Sequence, residues 1–257
     1  MNRLQIIPSK FFDYYNKNQP ISLLKHFNKL KSKKLDYGYA VSLSAVSSSQ
    51  IEGNTLDIDT YLKYDTIGVN TNTKSFREIK YLEEAYQFAR NHAPNLKNLL
   101  HAHYLLSDPD VFEEKYRGKY RDVNVYVGSH HVRLYSAPDH AIISAEMDKL
   151  FHDISLLRKR KLTISQTFYY ASFIHLIFAK IHPFIDGNGR AARLLEKWFL
   201  VNMLGDRAWN IKSEKLYMRR RKSYYQNMVK IGKDYAKLNY SYSFQFLKML
   251  PMALRIK

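Results

Sequence analysis

His182-Pro183-Phe184-Ile185-Asp186-Gly187-Asn188-Gly189-Arg190-Ala191-Ala192-Arg193 stands between two segments with helical periodicity, residues 164–181 and 189–204. The first segment repeats the three-and-four spacing of apolar residues so densely that it reads as a helix buried on most sides. Pro183 is hard to place inside a helix, so that helix ends near His182. Gly187, Asn188 and Gly189 tolerate backbone conformations that other residues resist, and the next helix begins at Asn188 or Gly189. Its free N–H groups and the positive end of its dipole then face the loop.

A loop of that kind suits an anion. Small residues let an oxyanion approach the backbone closely. Arg190 and Arg193, three apart, fall on one helical face beside it, and guanidinium groups match phosphate oxygens. Asp186 in the same loop is suited to Mg²⁺, which takes carboxylate and phosphate oxygens. His182 has an ordinary pKa near 6.5 and can accept a proton at neutral pH. A base, a metal ligand, an anion hole and two arginines therefore lie within twelve residues. Gly187 to Ala192 also matches the dinucleotide pattern G-x-G-x-x-A, but a helical segment rather than a strand precedes it, so that match is rejected. His101, His103, His130, His131, His140 and His175, taken singly, read as ordinary surface or core histidines.

Outward from the loop, the chain is mostly helical. Residues 75–92 place Phe76, Ile79, Leu82, Ala85, Tyr86 and Ala89 on one face, with Ser75 and Glu78 as a capping box. Residues 139–157 repeat the pattern, 214–231 form another helix and 241–250 a shorter one. In residues 122–134 the period changes to two: Val123, Val125 and Val127 alternate before Gly128-Ser129, and Val132 and Leu134 after it, which predicts a small β-hairpin. Only 9 Gly and 7 Pro agree with an all-α protein carrying one hairpin.

The twelve-residue string resembles the signature of the Fic family, H-P-F-x-[D/E]-G-N-G-R-x-x-R, at every fixed position. The resemblance implies an all-α Fic-domain helical bundle with a β-hairpin flap, and transfer of AMP from ATP to a protein hydroxyl with Mg²⁺ as cofactor. It implies that His182 deprotonates a target Ser, Thr or Tyr and that Asp186 binds the Mg²⁺. Gly187, Asn188 and Gly189 become the anion hole, and Arg190 and Arg193 hold the outer phosphates. Gly118-Lys119-Tyr120-Arg121 resembles the approach to the flap, and Val127, Gly128, Ser129 and His130 fall where it nears the nucleotide and pairs with the target. Tyr224-Tyr225 matches a tyrosine pair placed near adenine in the family. Eight residues after the first tyrosine, where some relatives have an adenine-contacting Asn, this chain has Gly232.

Upstream, Ser48-Ser49-Gln50-Ile51-Glu52-Gly53-Asn54 reads as a helix end, with Gly53-Asn54 as the stop. Glu52 in the last turn would oppose the helix dipole unless a cation elsewhere met it. The segment resembles the family's inhibitory motif [S/T]-x-x-x-E-[G/N], whose Glu pairs with the second signature arginine; Ser48, Glu52, Gly53 and Arg193 match it. The resulting organisation is an N-terminal segment, residues 1–60, with an inhibitory helix at about 38–53, and a Fic domain, 61–257, with its flap at about 122–134 and signature loop at 182–193. A target protein, or the chain itself with its 21 tyrosines, is expected to dock along the flap. The same Glu52 could instead orient water for removal of AMP. Retention of Gly189 disfavours the kinase chemistry of relatives that carry Lys there.

Net charge is +18. Residues 1–35 have 8 Lys+Arg against 1 acid, and 206–257 have 13 against 3, so the middle is nearly neutral. The exposed-looking run Arg219-Arg220-Arg221-Lys222 beside Tyr224-Tyr225 could serve a nucleic-acid-binding module with a vestigial site, but such a run is usually a solvated helix face, and nucleic acid is not the expected partner. Cysteine is absent, which excludes disulfides, thiolate metal sites and a cysteine nucleophile. The first residues lack the apolar core of a signal peptide, and Phe168 to Ile181 is too short and too interrupted to span a bilayer, so a cytoplasmic location is expected.

Overall fold

The computed structural model describes residues 3–31, 36–129 and 132–256. In chain order the helices are α1 (Phe12–Lys17), α2 (Leu23–Lys31), α3 (Tyr37–Ile51), α4 (Ile58–Ile67), α5 (Lys74–Asn91), α6 (Leu96–Leu106), α7 (Ile143–Arg158), α8 (Ile164–Ile181), α9 (Asn188–Leu204), α10 (Ser213–Arg219), α11 (Arg221–Val229), α12 (Phe244–Leu247) and α13 (Met249–Met252). Strands β1 (Tyr126–Ser129) and β2 (Val132–Ser136) form an antiparallel hairpin between α6 and α7. The fold is all-α apart from that hairpin. No helix among the described residues is long and apolar enough to cross a membrane.

Helix α8 is the axis. It starts in a full capping box, with Thr163 Oγ1 accepting from Gln166 N at 3.2 Å and Gln166 Oε1 accepting from Thr163 N at 2.9 Å. Every residue from Thr167 to Phe178 is buried, because α9, α7, α1, α2, α12 and α13 cover it on all sides. Burying a Leu, Ile or Phe contributes about 1.5–3 kcal/mol, so a helix apolar all round is stable only in this central place.

Helix α3 is also buried on most faces. Asp36 caps it by accepting from Tyr39 N, and it lies against α5 and α10 with a shorter contact to α9. Buried carboxylates tie it in. Glu83 of α5 accepts from Ser42 Oγ and Tyr61 Oη. Glu214 of α10 accepts from Ser44 Oγ and Tyr86 Oη and pairs with Lys197 of α9 at 3.1 Å. Residues on both sides of position 60 share one hydrophobic core.

Several boundaries differ from the sequence reading. The cap of α5 is Thr73, whose hydroxyl accepts from Phe76 N; Ser75 lies inside the first turn. The hairpin strands begin at Tyr126, so Val123 and Val125 precede them, and the register slips by a bulge between Val127 and Gly128. The helix expected over 214–231 is two, broken at Arg220, where φ is −116° and ψ 35°. The kink holds Arg219, Arg220, Arg221 and Lys222 in solvent while α11 turns Tyr224 into the core.

Candidate active site

Helix α8 ends on His182, which adopts a left-handed conformation (φ 52°, ψ 57°) and donates its N–H to Phe178 O at 3.0 Å. That conformation costs a non-glycine residue about 1–2 kcal/mol, so something must hold it. Arg121 does. Its Nε donates to His182 O at 2.9 Å, its backbone N–H to Pro183 O at 2.9 Å, and its remaining nitrogens to Val123 O and Pro138 O. One buried guanidinium thus ties the hairpin's flanks to the signature loop. Asn188 pins the loop from inside, accepting from Phe184 N at 2.9 Å and donating to Phe184 O at 2.8 Å.

Gly187 precedes α9 with φ 78°, and a Cβ there would press on His103 Nε2 and Leu106 Cδ1, both at 3.1 Å. His103 supports the loop. Its Nδ1 accepts from Gly118 N at 3.0 Å, its Nε2 donates to Asp186 O at 3.0 Å, and its ring stacks on Phe184 at 3.5 Å between centroids. Protonating Nδ1 would set two N–H groups against each other. Burial lowers the His103 pKa to about 4, although the bond to Asp186 opposes it. A histidine whose folded pKa lies below its unfolded value near 6.5 reduces stability as pH falls from about 6.5 to 4. We expect a loss on the order of 3 kcal/mol from this group across that window, with His182 adding the same sign. Urea unfolding of His103→Gln should show lower stability at pH 7 and a shallower fall between pH 6.5 and 4.

His182 Nδ1 lies 3.3 Å from Ala179 O. A carbonyl only accepts, so Nδ1 carries the proton and Nε2 keeps its lone pair. Burial lowers this imidazole to about pKa 4, with the Ala179 bond opposing and the Arg121 charge adding to the fall. The ring is therefore neutral at pH 7, the state from which it accepts a proton.

Two cavities meet at His182. A polar one of about 510 Å³ is lined by Lys74, Glu78, Asp108, Asp186 and Arg190 among others. A more apolar one of about 150 Å³ lies under the hairpin, against Val127, Leu134, Tyr225 and Met228. His182, Asn188, Gly189 and Glu52 line both.

Glu52 occupies the junction. It is the residue just past α3, and Gly53, at φ 109°, turns the chain away behind it. Its Oε1 accepts from Arg193 Nη2 at 2.6 Å and stands so close to the first turn of α9 that a Cβ at Gly189 would collide with it. Arg193 is 1% exposed. It also donates to Ser48 Oγ at 2.8 Å, to Ser48 O at 3.2 Å and to Tyr224 Oη at 3.4 Å. Burial opposes its charge, but the Glu52 carboxylate more than restores it, and its pKa lies above the usual arginine range. A carboxylate of the chain itself thus sits where helix dipole, amides and guanidinium would receive an external anion.

The structure brings His182, Asn188, Gly189, Arg193, Ser48 and Glu52 together. It sets Arg190 apart: that side chain faces the polar cavity, pairing with Glu78 at 3.2 Å and Asp186 at 3.5 Å. Asp186 is mostly exposed and accepts from Gly187 N at 2.6 Å. Val127 lines the apolar cavity, Gly128 and Ser129 continue β1 beyond it, and His130 lies outside the described residues. Tyr225 Oη reaches Glu52 Oε2 at 3.3 Å. Tyr224 is 1% exposed, and its hydroxyl donates to His175 Nε2 at 2.8 Å, the His175 Nδ1 side meeting Glu196 at 2.8 Å. It forms an inner wall behind Arg193. Gly232 has φ 138°, and a Cβ there would crowd Leu238 and Lys237 O at 3.2 Å, so a side chain at that position is strained. His103 carried no distinguishing signal in the sequence, because its partners lie 15 and 83 residues away.

Residues 93–200 match the family model described as Fic/DOC family. The chain is 25% identical to the protein adenylyltransferase Fic of Aedes aegypti, over 77% of this chain and 43% of that protein. It therefore spans less than half the length of the curated relatives it matches. A crystal structure of a Fic family protein from Desulfovibrio desulfuricans superposes with a TM-score of 0.72 at 20% identity, covering 99% of this chain and 74% of that one. A Fic domain containing signaling protein from Bacteroides thetaiotaomicron gives 0.65 at 18% identity, covering 96% and 93%. Residues 93–200 thus match the Fic/DOC family, the signature runs unbroken from His182 to Arg193, and the chain shares the fold of these Fic structures.

Proposed function

We propose that the chain is a protein adenylyltransferase restrained by its own Glu52, moving AMP from ATP to a Ser, Thr or Tyr hydroxyl of a protein target. The observation that carries this reading is the Glu52 carboxylate lodged between Gly189 and Arg193, within reach of a neutral His182. An internal carboxylate at a helix N-terminus beside a buried guanidinium supports the reading of a phosphate site closed by the chain itself. The named relative from Aedes aegypti, a protein adenylyltransferase, supports the same reaction class.

In this reading the target hydroxyl attacks the α-phosphorus as its proton passes to His182 Nε2. The bond from the α-phosphorus to the bridging oxygen breaks, and pyrophosphate leaves with the electron pair. The α9 amides at Asn188 and Gly189 and the Arg193 guanidinium stabilise charge on the phosphate oxygens, in a site already oriented for them. Arg190 holds Asp186 and Glu78 in the polar cavity. Asp186 fits Mg²⁺: its carboxylate is exposed and only loosely paired with Arg190, and Mg²⁺ commonly takes one or two carboxylates plus phosphate oxygens and water. Bound there, the ion would neutralise phosphate charge. The reading includes a cytoplasmic setting and a target strand laid along the hairpin, whose Tyr126 and Leu134 are exposed.

Two labels separate this chemistry from kinase chemistry. Incubated with a lysate, Glu52→Gly should transfer the label of α-labelled ATP to protein and release that of γ-labelled ATP in pyrophosphate. Label from the γ position on protein would replace AMP transfer with phosphorylation.

A further inference from the structure

The apolar cavity beneath the hairpin contains one charged group that the reaction above does not use. Lys180, in the last turn of α8, is 4% exposed and lines that cavity. Its Nζ donates to Gly232 O at 3.2 Å and lies 3.9 Å from the centroid of the Tyr135 ring. Tyr135 in turn donates its hydroxyl to Lys180 O at 2.6 Å, which fixes the ring and the lysine backbone together. No carboxylate among the described residues pairs with this ammonium. An ammonium has three N–H donors; one is taken by Gly232 and one side faces the ring, which leaves a donor without an acceptor. Burial lowers the Lys180 pKa to about 8, so at pH 7 the group is still mostly a cation.

A buried cation with an unsatisfied donor is costly unless a ligand completes it. The polar groups Glu52, His182, Asn188 and Arg193 gather at the anion end, and away from it the wall is largely apolar: Val127 and Leu134 come from the hairpin, Tyr225 and Met228 from α11. A mostly apolar pocket with one placed polar group is the usual form of a site that orients a heteroaromatic ligand. The cavity also reaches Gly189 and Arg193, the anion position, so a ring in the pocket and phosphates at α9 belong to one molecule. Gly232 supplies only its carbonyl, since a side chain there is strained.

We propose that Lys180 is a specificity-determining residue of the base pocket, its ammonium donating a hydrogen bond to an acceptor atom of the nucleobase. The proposal rests on the nucleotide-transfer reading, and its test needs binding alone. Calorimetry is done without metal in Glu52→Gly, comparing ATP with inorganic tripolyphosphate. Lys180→Met keeps the stem and removes the donor. It should weaken ATP about tenfold or more, as loss of a charged hydrogen bond does, and leave tripolyphosphate within about twofold. With Lys180 intact, three ATP analogues, each with one acceptor nitrogen of the adenine ring replaced by C–H, should divide. One should lose about tenfold and the other two little. That arm holds even if Lys180→Met does not fold. ATP bound more tightly than tripolyphosphate but indifferent to Lys180→Met, or three analogues of equal affinity, would overturn the role of Lys180 alone. ATP bound no better than tripolyphosphate would overturn the base pocket and the proposal with it.

Discussion

Glu52→Gly will raise kcat/KM for AMP transfer by about 30- to 100-fold over the wild-type chain, the equivalent of about 2–3 kcal/mol. The figure follows from what a phosphate must displace. Glu52 makes a charge-assisted bond of 2.6 Å to a guanidinium that is 1% exposed, and Tyr225 adds a weaker tether at 3.3 Å. Such bonds are worth about 1.5–3 kcal/mol. Glu52 is about one-third exposed, which keeps the estimate below that of a fully buried pair. Removing it leaves Arg193 its bonds to Ser48 Oγ, Ser48 O and Tyr224 Oη, so the guanidinium stays in place and gains a free face. The same change removes a counter-ion, so Glu52→Gly should melt a few degrees below wild type without nucleotide. ATP should then stabilise the variant more than the wild type, which differential scanning fluorimetry reads directly.

Adding His182→Ala to Glu52→Gly will lower kcat for AMP transfer about 10²- to 10⁴-fold, the usual contribution of a positioned general base. ATP affinity should change little, because the α9 amides and Arg193 are untouched. Alanine at this position keeps the left-handed strain that Arg121 supports, so the fold is retained and the loss is chemical. Loss of ATP binding together with turnover would mean instead that His182 acts as a structural cap. The two variants are expected to act on different steps, Glu52→Gly on where the phosphates can sit and His182→Ala on proton transfer.

Those two residues were legible because their signals are local. The dense periodicity of 164–181, the proline after His182 and the glycines before α9 mark helix, loop and helix without tertiary information. Gly53, with φ 109°, likewise marks the end of α3 and the position of Glu52. Other parts depend on distant partners. Val123 and Val125 alternate like strand residues, but pairing begins where Tyr126 meets Ser136, and the bulge after Val127 resets the register. Ser75 with Glu78 fits the capping-box pattern in sequence, but the hydroxyl that meets Phe76 N is that of Thr73. Tyr224 and Tyr225 look alike, yet one is buried against His175 and Arg193 while the other touches Glu52. Arg121, His103 and Lys180 owe their places to atoms 61, 83 and 52 residues away. Such groups hold the loop from behind; Arg121 stands in a stretch that resembles the approach to the flap, but nothing local gives its role, and nothing local distinguishes His103 or Lys180.

The central claim is that Glu52 restrains the site by occupying Arg193 and the start of α9. Incorporation of label from α-labelled ATP into protein, in a lysate with Mg²⁺, tests it in four proteins side by side: wild type, Glu52→Gly, Arg193→Ala and the double variant. The account predicts strong labelling by Glu52→Gly alone, with the double variant as silent as wild type, because release of Glu52 matters only if Arg193 is there to receive phosphate. Wild type labelling as strongly as Glu52→Gly, or the double variant matching Glu52→Gly, would contradict it.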